Sequence, residues 1–300
     1  MHLYSAQIRR DMPIRLRVIN MNHSPSKVLL SFLLLMLLNG LTFAGEIARD
    51  IRSGTGPDFP QPDGGYADLG FGLEASSGLR LKGDARGPVN FAVHLNMGYQ
   101  WRGFFVEALS DSEKGLVFGY NALNTQNWTL DVVFGPEHNE ITGELYDELK
   151  PLRDRHVDLT AGIRATGYFG HNIIQLQLRN EILTGLHEGY SATLNAGRSW
   201  QIRNANLHAL VGYHHGSKQV TDYYLGVSER EASAEFPQYT AGATNSFSSE
   251  IGLTYPLNES WILRSKITAI RFDEDIANSP LMENTKRNFI FSVVTANYVF

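Results

Sequence analysis

The last stretch of the chain, "NFIFSVVTANYVF" (residues 288–300), has the alternating pattern of a β-strand with two different faces. Side chains of a β-strand point alternately to its two faces. One face of this stretch, which ends in Tyr298 and Phe300, is lipid-like, whereas the other face, with Thr295 and Asn297, is mixed. Such a strand fits either a membrane barrel or a soluble sandwich, so the remaining sequence has to distinguish them.

The same two-residue alternation returns along the chain. In 174–179, for example, Ile, Leu and Leu alternate with Gln, Gln and Arg. Many of these segments run to about ten residues, which is long for sandwich strands but right for tilted strands that cross a membrane. The pattern predicts twelve strands, with ten or fourteen as alternatives: 66–75, 89–99, 103–109, 115–121, 127–134, 156–166, 171–182, 187–197, 204–213, 245–256, 260–272 and 288–300.

The predicted connections differ in length between the two ends of the sheet. Those at one end are short, and the long ones, 76–88, 135–155, 214–244 and 273–287, all fall at the other. Outer-membrane barrels show this asymmetry, with short periplasmic turns and long extracellular loops. Because backbone groups cannot remain unpaired in lipid, the sheet must also close. The sequence therefore predicts an all-β protein, a single antiparallel transmembrane β-barrel.

The N-terminal part of the chain carries the features of export. Lys27 precedes an apolar run over 28–38, and Thr42 and Ala44 supply the small residues of a cleavage site. We expect 1–44 to be a cleaved signal peptide, with Met21 as an alternative start, 45–65 to be a flexible periplasmic segment, and 66–300 to be the barrel. The chain has no cysteine, which excludes a lipoprotein anchor, disulfides and thiolate metal sites. The formal charge of −5 gives no drive toward nucleic acid.

One internal segment carries a family resemblance. The stretch "DYYLGVSEREASAEFPQYTAGA" (222–243) resembles the signature of the MltA-interacting protein (MipA/OmpV) family of outer-membrane β-barrels. The matching positions are Tyr223, Tyr224, Gly226, Val227, Pro237, Tyr239 and Gly242. The stretches "YPLNESWILRSKI" (255–267) and "NSPLM" (278–282) fit the same family.

This resemblance implies a non-enzymatic protein of the Gram-negative outer membrane. The role it implies is a scaffold that joins a lytic transglycosylase to a peptidoglycan synthase, with a small-solute permeation barrel or an adhesin-like surface protein as the alternatives. The C-terminal Tyr298 and Phe300 resemble the signal read by the barrel assembly machinery. Outer-membrane lipid and lipopolysaccharide would surround such a barrel, and no cofactor is implied.

The polar faces of the predicted strands supply the candidate functional residues. These side chains either line a water-filled passage or pair across the lumen and plug it; they are His94, Asp158, Arg164, Arg179, Glu181, His208, Arg264 and Lys266. A barrel enzyme acting on lipid would need His208 or His94 beside a serine, and nothing in the sequence places one there. We interpret His214-His215 as a solvated loop pair. The carboxylates of the acidic run 273–275 could bridge to lipopolysaccharide through a divalent ion, but the run lacks the glycine turn of a calcium loop. No catalytic or metal site is therefore predicted.

The paired tyrosines of the signature permit two interpretations. In the first, Tyr223 and Tyr224 cap the outer aromatic girdle while Gly226 relieves a tight bend. In the second, the loop folds inward or across the mouth of the barrel, where it gates or recognises a solute. The first is expected here, because tyrosines beside a glycine suit the interface of any barrel.

Overall fold

The computed structural model describes residues 63–109 and 115–300. These residues form one closed barrel of twelve antiparallel strands, each hydrogen-bonded to its neighbours in sequence. The strands are β1 (Gly64–Gly78), β2 (Val89–Trp101), β3 (Phe104–Leu109), β4 (Leu116–Asn124), β5 (Trp128–Pro136), β6 (Leu159–Phe169), β7 (Asn172–Glu181), β8 (Tyr190–Ile202), β9 (Ala205–Gly216), β10 (Thr244–Pro256), β11 (Trp261–Arg271) and β12 (Asn288–Val299). The predicted signal peptide, 1–44, and most of the predicted periplasmic segment lie outside the described residues.

The barrel closes where the first strand meets the last. β1 pairs with β12 over eleven positions, from Asp68 opposite Val299 to Gly78 opposite Phe289, and with β2 on its other side. A closed sheet has no edge whose backbone groups would need water. The predicted twelve-stranded transmembrane barrel is thus confirmed.

The two faces of each strand divide between lipid and lumen. On β7 the side chains of Ile174, Leu176 and Leu178 are exposed, whereas those of Gln175, Gln177 and Arg179 are buried inside. β12 follows the same rule, with Thr295 and Asn297 inside and Ile290, Val294, Tyr298 and Phe300 outside. The apolar outer surface therefore faces the membrane, as the alternation predicted.

Aromatic pairs mark the outer surface near the short-turn end of the barrel. The ring centroids of Phe104 and Tyr120 lie 4.9 Å apart, and those of Trp128 and Phe169 lie 5.6 Å apart. Tyr298 contacts both Trp261, at 5.4 Å, and Phe300, at 5.0 Å. This is the arrangement of an interfacial girdle, and Phe300 belongs to it.

Connections at the two ends of the barrel differ as expected. At one end the strands are joined by short turns. In the turn 102–103 both Arg102 and Gly103 have positive φ angles, which match the twist of a two-residue β-hairpin. The other end carries 79–88, 137–158, 182–189, 217–243 and 272–287. By this asymmetry the first end is periplasmic and the second is extracellular.

Four of the extracellular loops, 79–88, 137–158, 217–243 and 272–287, pack together over the barrel mouth, and we call them the outer lid. They contain a 3-10 helix (Asp147–Leu149) and the α-helices α1 (Lys218–Leu225) and α2 (Glu274–Ala277). The lid has its own hydrophobic core of Leu81, Leu149, Leu152, Val227, Phe236 and Leu281. Within the described residues, no helix is both long and apolar enough to cross a membrane.

Candidate functional site

Two arginines neutralise buried carboxylates inside the barrel. Arg264 of β11 holds Asp68 of β1 through two hydrogen bonds of 2.6 and 3.0 Å. Arg164 of β6 donates to Glu107 at 2.9 Å and to Asp131 at 3.0 Å. Paired charges of this kind tolerate burial, whereas isolated ones do not.

Glu250 of β10 is the centre of a third charged group. Its Oε1 lies 3.1 Å from His208 Nε2, and its Oε2 lies 3.5 Å from Lys266 Nζ and accepts a hydrogen bond of 2.9 Å from Thr268. The His208 ring fits because Gly252 has no Cβ, which would lie 2.2 Å from the ring. The three groups together form a charged layer between mid-height and the periplasmic end.

The structure also places the two histidines suggested for lipid chemistry. Ser199 stands opposite His208 in the register of β8 and β9, whereas the partner of His94 on β1 is Gly70. Both histidines are buried inside the barrel, and the Nε2 of His208 faces Glu250. The imidazole of His208 thus belongs to the charged layer and lies away from the lipid-facing surface.

The remaining predicted lumen residues lie near the outer mouth. Glu181 closes the loop 182–189, because its carboxylate accepts hydrogen bonds from the backbone of Thr184, Gly185 and Glu188. Arg179 Nη1 donates to the carbonyl of Pro136 at 3.4 Å. Asp158 was expected on a strand, but β6 begins only at Leu159, so this residue ends the preceding loop.

Asp158 joins two extracellular loops through a buried carboxylate. Its Oδ2 lies 2.8 Å from His138 Nδ1 and 3.2 Å from His187 Nε2, and its Oδ1 accepts hydrogen bonds from the backbone of Glu137 and His138. Burial by itself raises the pKa of Asp158, but the hydrogen bonds from the two histidines and the backbone outweigh it and hold the pKa well below the usual range. Sequence reasoning did not single out His138 or His187.

His138, Asp158 and His187 are of the residue types that bind zinc. Their ligand atoms also lie within 4.8 Å of one another. The backbone N–H of Gly189, however, donates to His187 Nδ1 at 3.0 Å. The Nδ1 atom must therefore be unprotonated, and the proton of the neutral ring sits on Nε2, where it is donated to Asp158. The arrangement favours a hydrogen-bonded junction over a metal centre.

The paired tyrosines lie in the lid and not in the outer girdle, which corrects the first interpretation. Tyr224 is 5% exposed, its ring stacks on that of His138 at 4.7 Å, and its hydroxyl donates to the carbonyl of His156 at 3.0 Å. The hydroxyl of Tyr223 accepts from the N–H of His156 at 3.1 Å, and its ring lies under Arg153. Helix α1 thereby holds the end of the loop 137–158.

The rest of the signature connects lid loops to one another. The Gly226 carbonyl accepts a hydrogen bond of 2.8 Å from buried Arg155, and Val227 forms a β-bridge with Tyr239. The hydroxyl of Tyr239 and the N–H of Gly242 both donate to Asp275, at 2.7 Å each. Pro237 is exposed beside fully buried Phe236. The acidic run 273–275 therefore includes structural acceptors.

A cavity of about 240 Å³ lies beneath the lid in the outer part of the barrel. One wall is apolar and consists of Leu79, Ile270, Phe272, Ile276, Met282 and Phe289. Another part of the wall, on β8, β9 and β10, is polar and consists of Thr193, Asn195, His214, Thr244, Ser246 and Ser248. A second cavity of about 20 Å³ lies nearer the periplasmic end, among side chains that include His94, His208, Arg264 and Lys266.

The histidine pair expected in a loop lies on β9 instead. His214 points inward, lines the large cavity and has its Nδ1 atom 3.1 Å from the hydroxyl of Thr193. His215 points to the other face, where its Nδ1 atom lies 2.9 Å from Asn245 Oδ1. Adjacent strand residues diverge, as expected, so the two rings do not share a ligand site.

The closed barrel, its apolar outer face and its extracellular lid define an outer-membrane β-barrel protein. The family model described as "MltA-interacting protein MipA" matches residues 69–300, and the chain belongs to this family. The resemblance found in the sequence is thereby confirmed, and the protein is located in the outer membrane.

Two curated relatives are outer-membrane proteins of Vibrio. The chain is 24% identical to "Outer membrane protein Omp26La" of Vibrio anguillarum over 162 residues and 25% identical to "Outer membrane protein OmpV" of Vibrio cholerae serotype O1 over 162 residues. In each case the match covers 52% of this chain and 63% of the relative, so the chain spans less than two thirds of the relatives it matches.

Solved barrels with similar architecture include two porins. The KdgM porin in complex with disordered oligogalacturonate is 10% identical, with a TM-score of 0.40, and the match covers 78% of this chain and 99% of the porin. The NanC porin is 6% identical, with a TM-score of 0.43, and the match covers 77% of this chain and 98% of the porin.

Removal of the Arg164 guanidinium tests the charged layer. The substitution Arg164→Ala leaves Glu107 and Asp131 buried without this cation, so we expect the free energy of unfolding to fall by about 3–5 kcal/mol. Guanidinium-induced unfolding in lipid vesicles measures the change. Arg198→Ala, on the outward face, is the matched control and should change it by less than about 1 kcal/mol. Equal effects of the two substitutions would contradict a buried charge network.

The low pKa of Asp158 predicts how the lid responds to acid. A carboxylate with a depressed pKa contributes stability above its unfolded pKa of about 3.9 and loses it only as the pH falls through the lower, folded value. We expect the backbone N–H groups of 137 and 138 to stay protected from hydrogen exchange below pH ~4. Asp158→Ala, which removes the acceptor, should expose them at neutral pH, whereas His156→Gln should not. Unchanged protection in Asp158→Ala would exclude this junction.

Proposed function

We propose that this protein is a non-enzymatic outer-membrane barrel through which small solutes pass, and that the passage is closed in the present conformation. The observation that carries the proposal is the cavity of about 240 Å³ that lies between the outer lid and the charged layer. A barrel built only as a membrane anchor has no need of such a space inside its outer half.

Opening of the lid requires only non-covalent contacts between its loops to break, and some of these contacts are exposed. Loops 79–88 and 272–287 meet at the bridge between Leu81 and Met282, with hydrogen bonds of 2.9 Å on either side. The adjoining ion pair of Arg80 and Glu283 spans 3.4 Å, and the Glu283 side chain is 57% exposed. Exposed pairs of this kind contribute about 0–1 kcal/mol.

The inner barrier is polar, which suits a hydrated solute once the charges rearrange. The small cavity beside His94 and Lys266 continues along strands that also wall the large cavity, β9, β10, β11 and β12. A volume of about 20 Å³ corresponds to roughly one water molecule. The lumen would then be a narrow polar route interrupted by the pairs at Asp68 and Glu250.

A disulfide across the lid tests the passage, and the natural absence of cysteine makes it simple to introduce. Leu81 and Met282 form a non-hydrogen-bonded antiparallel pair, whose Cα spacing of about 4.5 Å is compatible with a disulfide. In planar bilayers we expect Leu81→Cys/Met282→Cys to conduct under reducing conditions, to lose conductance on oxidation, and to regain it on reduction.

Two controls make that result specific. Leu81→Cys alone receives the same oxidant and should keep its conductance. Arg155→Ala removes the hydrogen bond to the Gly226 carbonyl and should make openings more frequent, because it loosens the loop 217–243. Absence of conductance in the wild type, in Arg155→Ala and in the reduced double variant would refute the passage.

A second function, favoured by the family description, is a scaffold for cell-wall enzymes. MltA is a lytic transglycosylase, and a peptidoglycan synthase would be the second partner. β1 begins at Gly64 on the periplasmic side, where the turns between strands are short. Most of the binding surface offered to such enzymes would then come from the segment that precedes β1.

Deletion of 49–62, which retains the predicted cleavage site, tests the scaffold. Cross-linking in intact cells should recover the lytic transglycosylase with the full chain and lose it with the deletion. Arg203→Ala, in a periplasmic turn, is the control and should leave recovery unchanged. Equal recovery with the deleted chain would count against a scaffold that uses this segment.

A further inference from the structure

We infer that the cavity beneath the outer lid is a binding site for a small, uncharged molecule with a flat apolar body and one hydrogen-bonding group, such as a hydroxylated aromatic. The inference deepens the proposed passage by naming the class of solute, and its biological meaning rests on that proposal. Binding itself can be measured without any transport.

The size of the cavity sets the first limit on the ligand. A dry protein cavity of about 150 Å³ accommodates benzene. The present cavity, at about 240 Å³, is larger by somewhat more than half. A molecule of one ring or of two fused rings therefore fits within this volume.

The walls set the second limit. The apolar wall combines the rings of Phe272 and Phe289 with the aliphatic chains of Leu79 and Ile270. A flat apolar body gains most by lying against such a surface, because burial removes its faces from water. The polar part of the wall offers the amide of Asn195 and the hydroxyls of Ser246 and Ser248 to a single polar substituent. Sites that bind small molecules combine these two features.

The charged groups at the edge of the cavity limit the charge of the ligand, because each of these groups already has a protein partner. Arg80 pairs with Glu283, and the Glu137 carboxylate accepts a hydrogen bond from Ser191. His138 is bound to Asp158, and the Glu140 carboxylate lies 3.5 Å from His156 Nδ1. A charged ligand would have to displace one of these pairs or stay unneutralised, which is costly in a partly apolar cavity. An uncharged molecule avoids that cost.

Adjacent serines on β10 provide a matched test. Ser248 points inward and lines the cavity, whereas Ser249 is exposed on the lipid-facing side. Ser248→Phe fills the cavity, and Ser249→Phe makes the same chemical change outside the barrel. The probe is 2-naphthol, with its fluorescence followed as it is titrated into protein held in lipid nanodiscs. Nanodiscs without protein measure the fraction of 2-naphthol that dissolves in lipid.

We expect saturable binding of one 2-naphthol to the wild type and to Ser249→Phe, and an affinity lower by at least about tenfold for Ser248→Phe. The carboxylate 2-naphthoate should bind the wild type at least about tenfold more weakly than 2-naphthol, because it carries a charge. Equal binding by the two serine variants would overturn the site. Equal affinity for the two probes would overturn the preference for neutral ligands.

The outcome separates this inference from the proposed passage. If 2-naphthol binds saturably, Ser248→Phe abolishes this binding, and the protein never conducts, the binding site is supported and the passage is refuted. If the protein conducts but shows no saturable binding of 2-naphthol, the passage is supported and the binding site is refuted. Circular dichroism and the mobility of unheated samples in detergent gels establish that both serine variants have folded.

Discussion

Lipid offers no hydrogen-bond partners to a polypeptide backbone, and this single constraint governs the architecture of the molecule. It requires β1 to pair with β12, because any open edge would leave N–H and C=O groups unpaired in hydrocarbon. Closure in turn gives every strand one face toward lipid and one toward the lumen. The inward polar side chains, separated from bulk water, must then satisfy one another.

The charged layer and the cavity are two results of that confinement. Where neighbouring strands bring opposite charges into register, as at Arg164 and Asp131, the lumen fills with ion pairs. Nearer the mouth the inward positions of β8 and β10 carry short polar side chains, while those of β11 and β12 include Ile270 and Phe289. Short side chains on one wall cannot reach across to the other, so a space remains beneath the lid.

Periodicity in the sequence was sufficient to predict the strands and the two faces of each strand. The alternation of side chains along β7 or β12 is a property of local strand geometry. The outer loops follow from contacts between distant segments, and the sequence did not reveal them. Tyr224 lies in helix α1 because it packs on His138, which is far away in the chain. Similarly, His214 lies on a strand that continues beyond its apolar stretch, and Asp158 binds His187 in another loop. The cavity could not be predicted, because no single segment of the sequence contributes more than a few of the residues that line it.

The construction of the lid divides its residues into two groups with different freedom to evolve. Val227, Phe236 and Leu281 share one core, so a change in any of them must be accommodated by loops from elsewhere in the chain. Glu229, Arg230 and Glu235 are exposed on the loop 217–243 and do not belong to that core. The charges that the lid presents to the cell exterior can therefore change by substitution while its shape stays constant.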